Sequence, residues 1–354
     1  MSRPSITILI PAHNEEAMIA ACIDSCLTQS RPADQIIVVN DGSIDRTGEI
    51  LASYGDAIQV ITLEQPTGNK SRAQEVGIAQ ITTELFIATD GDTILDRHFV
   101  REVERVVHLD PEVGAVAGYV KSMRHNMLTA LREIEYVIGQ DLYKLAQSYL
   151  NYVLVIPGCA GAFRTALFHT GVLTFEHDTL TEDLDLTYRL HAGGYRIAFA
   201  TRAFVYTQDP PTLHSYVNQM RRWYGGGWQN LLKHREVLTM PNAALLLTLA
   251  YVEGLLVAGI LLALPLINLS FFLTVLPLIM LAFVVVGCYA AVRRRRLDLL
   301  LWSPFALVTN VINAAIFLER FVVEVVLRRK TMVWFHPRRV SQGILKRTNR
   351  ILKT

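Results

Sequence analysis

No G-x-G-x-x-G turn follows the first apolar run of this chain. Residues 6–10 lead instead into Pro11-Ala12-His13-Asn14-Glu15-Glu16. Without glycines there the backbone cannot approach a pyrophosphate closely, which disfavours a nicotinamide or flavin dehydrogenase. Cysteine is scarce: Cys22, Cys26, Cys159 and Cys288 show neither metal-ligand spacing nor a secretory framework, which fits a reducing compartment. The opening apolar run is too short for a signal peptide, so the front half is expected to stay in the cytoplasm. Charge is missing in two places. Between 243 and 292 Glu253 is the only acid and there is no Lys or Arg, while 328–354 holds nine Lys or Arg and no acid.

The uncharged stretch is long enough for two membrane spans at ~20 residues each, placed at 245–267 and 271–292. The arginines at 293–296 then mark a cytoplasmic loop, and the basic tail suits anionic lipids of the inner leaflet. Residues 297–327 are apolar but carry Pro304, Glu319, Arg320 and Glu324. A third complete span would place the basic tail outside, so a re-entrant or interfacial element is expected here. Glu253, inside the first span, needs a partner, and a hydrogen bond to a neighbouring helix is the expected one.

The front half alternates strand and helix. Strands are expected at 6–10, 35–40, 57–63, 85–89 and 113–120, and helices at 15–29, 45–54, 69–80 and 96–109. Repeated βαβ units imply an α/β fold with a doubly wound parallel sheet and right-handed crossovers. Residues 127–150 form an amphipathic helix for which two readings stay open, lying on the membrane or packing on the domain core. A more basic amphipathic segment, 228–238, directly precedes the first span and is expected at the interface.

Five groups could carry chemistry. Leu85-Phe86-Ile87-Ala88-Thr89-Asp90-Gly91-Asp92 is a buried strand ending in two carboxylates, at the sheet edge where open α/β folds bind ligands. Asp90 and Asp92 cannot both lose water without a counter-charge, so a divalent cation shared with a diphosphate is the natural partner and magnesium fits best. A solvated turn reads the same way. Asp41, in Asn40-Asp41-Gly42-Ser43, could bind a base or ribose edge or simply shape a turn. Lys70 opens a helix and could neutralise a phosphate, although a surface lysine is usually only solvated. Glu182 and Asp183, in Thr181-Glu182-Asp183-Leu184-Asp185, suit either a helix cap or a general base, because clustered negative charge raises a carboxylate's pKa. Gln219, Arg222 and Trp223 share one helical face, the arginine offering a fork for phosphate oxygens and the tryptophan a wall for a sugar ring.

Taken in order, the 11–16 segment, Asn40-Asp41-Gly42-Ser43, Asp90-Gly91-Asp92, Thr181-Glu182-Asp183 and the Q-x-x-R-W at 219–223 resemble the family 2 glycosyltransferases of the membrane-embedded polysaccharide synthase type. That group includes poly-N-acetylglucosamine, hyaluronan, chitin and cellulose synthases. The likeness covers roughly 6–228, and the 180–185 segment with Gly193-Gly194-Tyr195 is similar to the poly-N-acetylglucosamine synthases. It implies a GT-A, Rossmann-like domain over 1–227, an interfacial amphipathic helix over 228–240, transmembrane helices over 241–327 in two or three spans, and a basic cytoplasmic tail over 328–354.

The implied reaction is inverting transfer of a hexose, N-acetylglucosamine or glucose, from a UDP-sugar to a growing glycan at the cytoplasmic membrane. On this resemblance Asp183 with Glu182 is catalytic, and Pro11, Asn14, Glu15, Asp41, Lys70, Asp90, Asp92 and Arg222 bind the donor. Gly158, Gly161, Gln219 and Trp223 bind the acceptor, and Asp90 and Asp92 hold Mg2+ or Mn2+. Processive members usually begin with transmembrane helices, and this chain has none at its start. A partner membrane subunit or a homo-oligomer would then complete the pore, or a single sugar would go to a lipid-linked acceptor. A non-catalytic nucleotide-sugar-binding subunit is the rival outside the enzymes, and no nucleic-acid partner is expected.

Overall fold

A computed structural model describes residues 3–330 and 332 of the chain. The expected tail lies outside the described residues beyond its first few positions. Strands and helices alternate through β1 (Ile6–Ala12), α1 (Ile19–Leu27), β2 (Gln35–Asp41), α2 (Thr47–Ala52), β3 (Gln59–Leu63), α3 (Lys70–Ile78) and β4 (Leu85–Ala88). These four strands are parallel, with Ile8 opposite both Ile36 and Ile87. β1 and β4 are buried throughout, as strands covered on both faces must be. Ile6, Ile8 and Ile10 face the side of α1, while Leu9, Ile37 and Val39 face Ala73 and Ile78 of α3.

The remainder departs from the expected all-parallel sheet. After β5 (Ile94–Leu95), α4 (Phe99–Leu109), β6 (Val113–Ser122), α5 (Met127–Ile138) and α6 (Leu145–Tyr149) come β7 (Gly161–Arg164), α7 (Thr165–His169), α8 (Glu182–Ala192) and β8 (Arg196–Thr207). The sheet order is β3-β2-β1-β4-β7-β6-β8-β5 and the sheet is mixed: β7 runs antiparallel to β4 and β6, and β5 antiparallel to β8. β7 is short and glycine-led, so periodicity does not reveal it. The strand order reverses between β1 and β4, whose carboxyl ends carry residues 12–15 and 90–92. That is the crevice where such sheets bind ligands.

α9 (Leu213–Lys233) is followed by α10 (Pro241–Ala258), α11 (Leu264–Ile267), α12 (Leu269–Arg294), α13 (Leu297–Trp302) and α14 (Ala306–Arg320). Three helical runs, Pro241–Ile267, Leu269–Arg294 and Leu297–Val326, are long and apolar enough to cross a membrane. The third covers the stretch expected to be re-entrant or interfacial, and its charges are answered by α9. Arg221 pairs with Glu319 at 3.0 Å, and Gln229 donates to Glu324 at 3.1 Å. Glu253 accepts a 2.7 Å hydrogen bond from Tyr143, on the helical turn after α5.

The segment expected at the interface, 228–240, divides between the end of α9, which runs through to Lys233, and a short helical turn at Arg235–Thr239, and Trp228 is buried against Tyr251, Phe317 and Phe321. The apolar stripe of α5 (Ala130, Leu131, Ile134, Val137) packs on Ala290, Ala291, Leu299 and Ala306 of the C-terminal helices.

Candidate functional site

A cavity of about 770 Å³ opens at the carboxyl edge of β1, β2 and β4 and extends between α9, α10 and α14. Its floor comes from the sheet. Asp41, buried at the end of β2, accepts hydrogen bonds from Thr67 N (2.7 Å) and Thr67 Oγ1 (2.8 Å), which ties down the turn before α3. Gly42 has φ +60°, and a Cβ there would lie 2.4 Å from Pro66 N, so the turn accepts only glycine. Asn69 caps α3 through Ser71 N and thereby aims Lys70 into the cavity.

The Lys70 ammonium forms an ion pair with Asp90, lies 3.9 Å from Glu182 and donates to Gly158 O at 3.2 Å. Burial opposes its charge, but Asp90 and Glu182 outweigh that and hold its pKa above the usual lysine value. Asp92 is buried beside it, and Gly91 lets Glu15 pack where a Cβ would come within 3.2 Å of its Cγ.

The opposite wall is the first turn of α8. Asp183 Oδ2 accepts from Gly158 N (3.2 Å) and Oδ1 from Leu184 N (2.9 Å). Thr187 donates to the Asp183 carbonyl and accepts from Ile156 N, so the 156–158 loop is strapped to α8. A single residue, Gly158, therefore links Lys70 to Asp183, through its carbonyl on one side and its N–H on the other. Burial first, then the adjacent Asp183 charge, raises the pKa of Glu182.

α9 forms the roof. Gln219, Arg222 and Trp223 line the cavity, and the Gln219 Oε1 is buried without a hydrogen-bond partner among the described residues. The Arg132 guanidinium lies 4.8 Å from the Trp223 ring and 3.5 Å from Asp209. Farther along, Asn230 Nδ2 donates to Thr181 Oγ1 (2.9 Å) and Gln229 accepts from Leu180 N (3.0 Å), fixing the loop that delivers Glu182 and Asp183.

Of the residues singled out from sequence, Pro11, Glu15, Asp41, Lys70, Asp90, Asp92, Gly158, Glu182, Asp183, Gln219, Arg222 and Trp223 all line this one cavity. Asn14 and Gly161 lie outside its lining. Asn14, at φ +55°, accepts from Ile44 N and braces two loops. Gly161 sits in β7, where a Cβ would come 2.8 Å from both Ile156 and Phe163. The sequence reading missed Tyr136, Gln140 and Lys144 along the α5 run, and Tyr188, Tyr251 and Phe317 at the apolar end. Positions 132, 136, 140 and 144 recur every fourth residue on one helical face, and that spacing was the available signal.

Among the described residues, Glu176, Asp178 and Asp185 are clustered closely enough to share a metal ion. The Lys233 ammonium already occupies that cluster, 2.5 Å, 2.7 Å and 2.7 Å from the three carboxylates, so its charge is answered from within the chain.

The family model described as glycosyltransferase like family 2 matches residues 4–226. A poly-beta-1,6-N-acetyl-D-glucosamine synthase of Staphylococcus aureus is 30% identical over 232 residues, covering 64% of this chain and 56% of the synthase. The probable glycosyltransferase YdaM of Bacillus subtilis is 28% identical over 239 residues, 65% of this chain and 57% of YdaM. The chain thus matches little more than half the length of these curated relatives. In fold it is similar to the mannosyltransferase PcManGT of Pyrobaculum calidifontis, solved with GDP-Man and Mn2+ (TM-score 0.57, 18% identity, 89% of this chain and 87% of that one). It is also similar to S. aureus TarS 1-349 in complex with UDP (TM-score 0.51, 18% identity, 89% and 90%). With a matching family model over most of its length, a GT-A fold and a single cavity gathering the acids, the lysine and the Q-x-x-R-W face, the chain belongs to glycosyltransferase family 2.

Proposed function

We propose that the chain transfers N-acetylglucosamine or glucose from a UDP-sugar, with inversion, to a growing glycan at the cytoplasmic membrane. The observation that carries this is the convergence of Asp90, Asp92, Lys70, Asp183, Arg222 and Trp223 on one cavity that continues into the apolar helices. Asp90 and Asp92 present hard carboxylate oxygens, the donor set that Mg2+ and Mn2+ prefer. Bound there, the ion would add positive charge against the departing diphosphate.

Asp41 and the Pro11–Glu15 turn hold the nucleotide end, and Lys70 and Arg222 face the diphosphate, where negative charge grows as the glycosidic bond breaks. Asp183, on the opposite side, takes the proton of the acceptor hydroxyl as its oxygen attacks the anomeric carbon. Two N–H donors orient its carboxylate for that task. Gln219 and Trp223 position the acceptor ring. Transfer of one sugar to a lipid-linked acceptor is a second reading. It is favoured by the apolar lining at Leu247, Ala250, Tyr251 and Phe317.

Membranes containing the full chain, incubated with labelled UDP-sugars and Mg2+ or Mn2+, are expected to yield a glycosylated product identifiable by mass spectrometry. Its length over time separates the two readings. Absence of transfer from every donor of a broad panel would sink both.

A further inference from the structure

One buried cation of the cavity is used by nothing described so far. Lys144 ends the helical turn Gly139–Lys144 that continues α5, and it lines the same cavity as Asp183. It is 6% exposed, yet among the described residues its ammonium has neither a carboxylate partner nor a hydrogen-bond acceptor. It makes instead a ring contact with Phe199, 5.7 Å from the centroid. Lys70 and Lys233, by contrast, each sit among carboxylates of the chain.

A buried ammonium without a counter-charge is unfavourable, and burial draws the Lys144 pKa down to about 8. Asp183 is the carboxylate whose charge acts on it, and both groups line the same cavity. Its missing counter-ion therefore belongs to whatever molecule occupies the space beside Asp183.

We propose that Lys144 is an acceptor-recognition residue and that the acceptor is acidic, a phosphate or carboxylate group pairing with its ammonium while the attacking hydroxyl lies at Asp183. The assignment rests on reading the Asp183 wall as the acceptor side. A phospholipid-type headgroup and an acidic sugar offer the same anionic oxygens. In the first case the apolar wall formed by Leu154, Leu184, Leu247, Tyr251 and Phe317 would receive the hydrocarbon.

The test is equilibrium binding to the full chain in neutral detergent, using matched probes. Dihexanoylphosphatidylglycerol is compared with dihexanoylglycerol, and a glucuronate-terminated oligosaccharide with its methyl ester. The wild-type protein is expected to prefer one acidic probe over its neutral twin by about tenfold or more, as a charged hydrogen bond in a buried site supplies. The preferred pair identifies the source of the anion. Lys144→Met is expected to erase the preference and Lys144→Arg to keep it, with a Tm no lower than wild type for Lys144→Met. Equal binding of both pairs by the wild type overturns the proposal even if no variant folds, and so does a preference that survives Lys144→Met. Anion preference in a protein that transfers no sugar would instead overturn the reading of the reaction while leaving the anion site standing.

Discussion

Glu182 and Asp183 are adjacent in the chain and differ in what surrounds them. Glu182 is buried with its pKa raised and faces Lys70, whereas Asp183 is held by two backbone N–H groups and opens onto the cavity. Asp183→Asn keeps the shape and removes the proton acceptor of the proposed reaction. Turnover is expected to fall about 10²- to 10⁴-fold, with UDP affinity retained in a titration of the purified protein. Lys70→Met acts on the other half of the reaction. It leaves Asp90 and Glu182 facing the diphosphate without their cation, so UDP affinity is expected to drop by about tenfold or more, measured by the same titration. Chelation with EDTA is expected to weaken UDP binding and abolish transfer, both restored by Mn2+.

At the scale of elements, α9 connects the roof of the cavity to the base. Its run Gly225-Gly226-Gly227 is poor helix-forming sequence, disfavoured by about 1 kcal/mol per glycine relative to alanine. The reason is close approach: a Cβ on Gly226 would lie 2.3 Å from Thr181 Oγ1 and 2.9 Å from Thr181 Cβ. Gly226→Ala is therefore expected to destabilise by about 1–3 kcal/mol despite its better propensity, and to lower turnover by displacing Asp183. Gly259→Ala, with open space around it, is expected to leave Tm within a degree or two of wild type.

The end of α9 also carries a pH signature. Burial works against ionisation of both Asp185 and His234, yet their mutual hydrogen bond, helped by Lys233 at Asp185 and by Glu236 at His234, depresses the first and raises the second. The Asp185 contribution is present above about pH 3.9 and fades as pH falls through its lowered folded value. The His234 contribution is full below about pH 6.5 and fades as pH rises through its raised folded value. Thermal unfolding of wild type and His234→Gln across pH 4–9 is expected to show the largest difference near pH 5–6 and convergence on the alkaline side.

At the scale of the whole molecule, the catalytic domain and the apolar helices share one wall of the cavity and one buried aromatic group. Trp228 packs on Tyr251, Phe317 and Phe321, and Tyr216 donates to Asn313 of α14 at 2.7 Å. Ending the chain at residue 240 would expose Trp228 and remove Tyr251 and Phe317 from the site. Such a truncation is expected to lose acceptor transfer altogether while its sheet still binds UDP, since Asp41 ends β2 and Asp90 and Asp92 follow β4 within the sheet domain. Loss of UDP binding together with transfer would mean that the helices hold the donor site as well.

Local order carried a large part of this architecture in the sequence itself. Apolar runs and their period marked β1, β2, β4 and β6, the acids at 41, 90 and 92 stood at strand ends, and the uncharged 243–292 stretch marked two long helices, because each signal depends on neighbours within a few residues. Tertiary structure decided what depends on distant partners. β7 pairs antiparallel with β4 through four residues that show no period of their own, and Glu319 and Glu324 of the third apolar run find their partners on α9. Residues 228–233 belong to α9 and pack inward because Tyr251 and Phe317 cover Trp228. The buried, unpaired state of Lys144 is set by residues far from it in the chain, and no stretch of sequence around position 144 contains them.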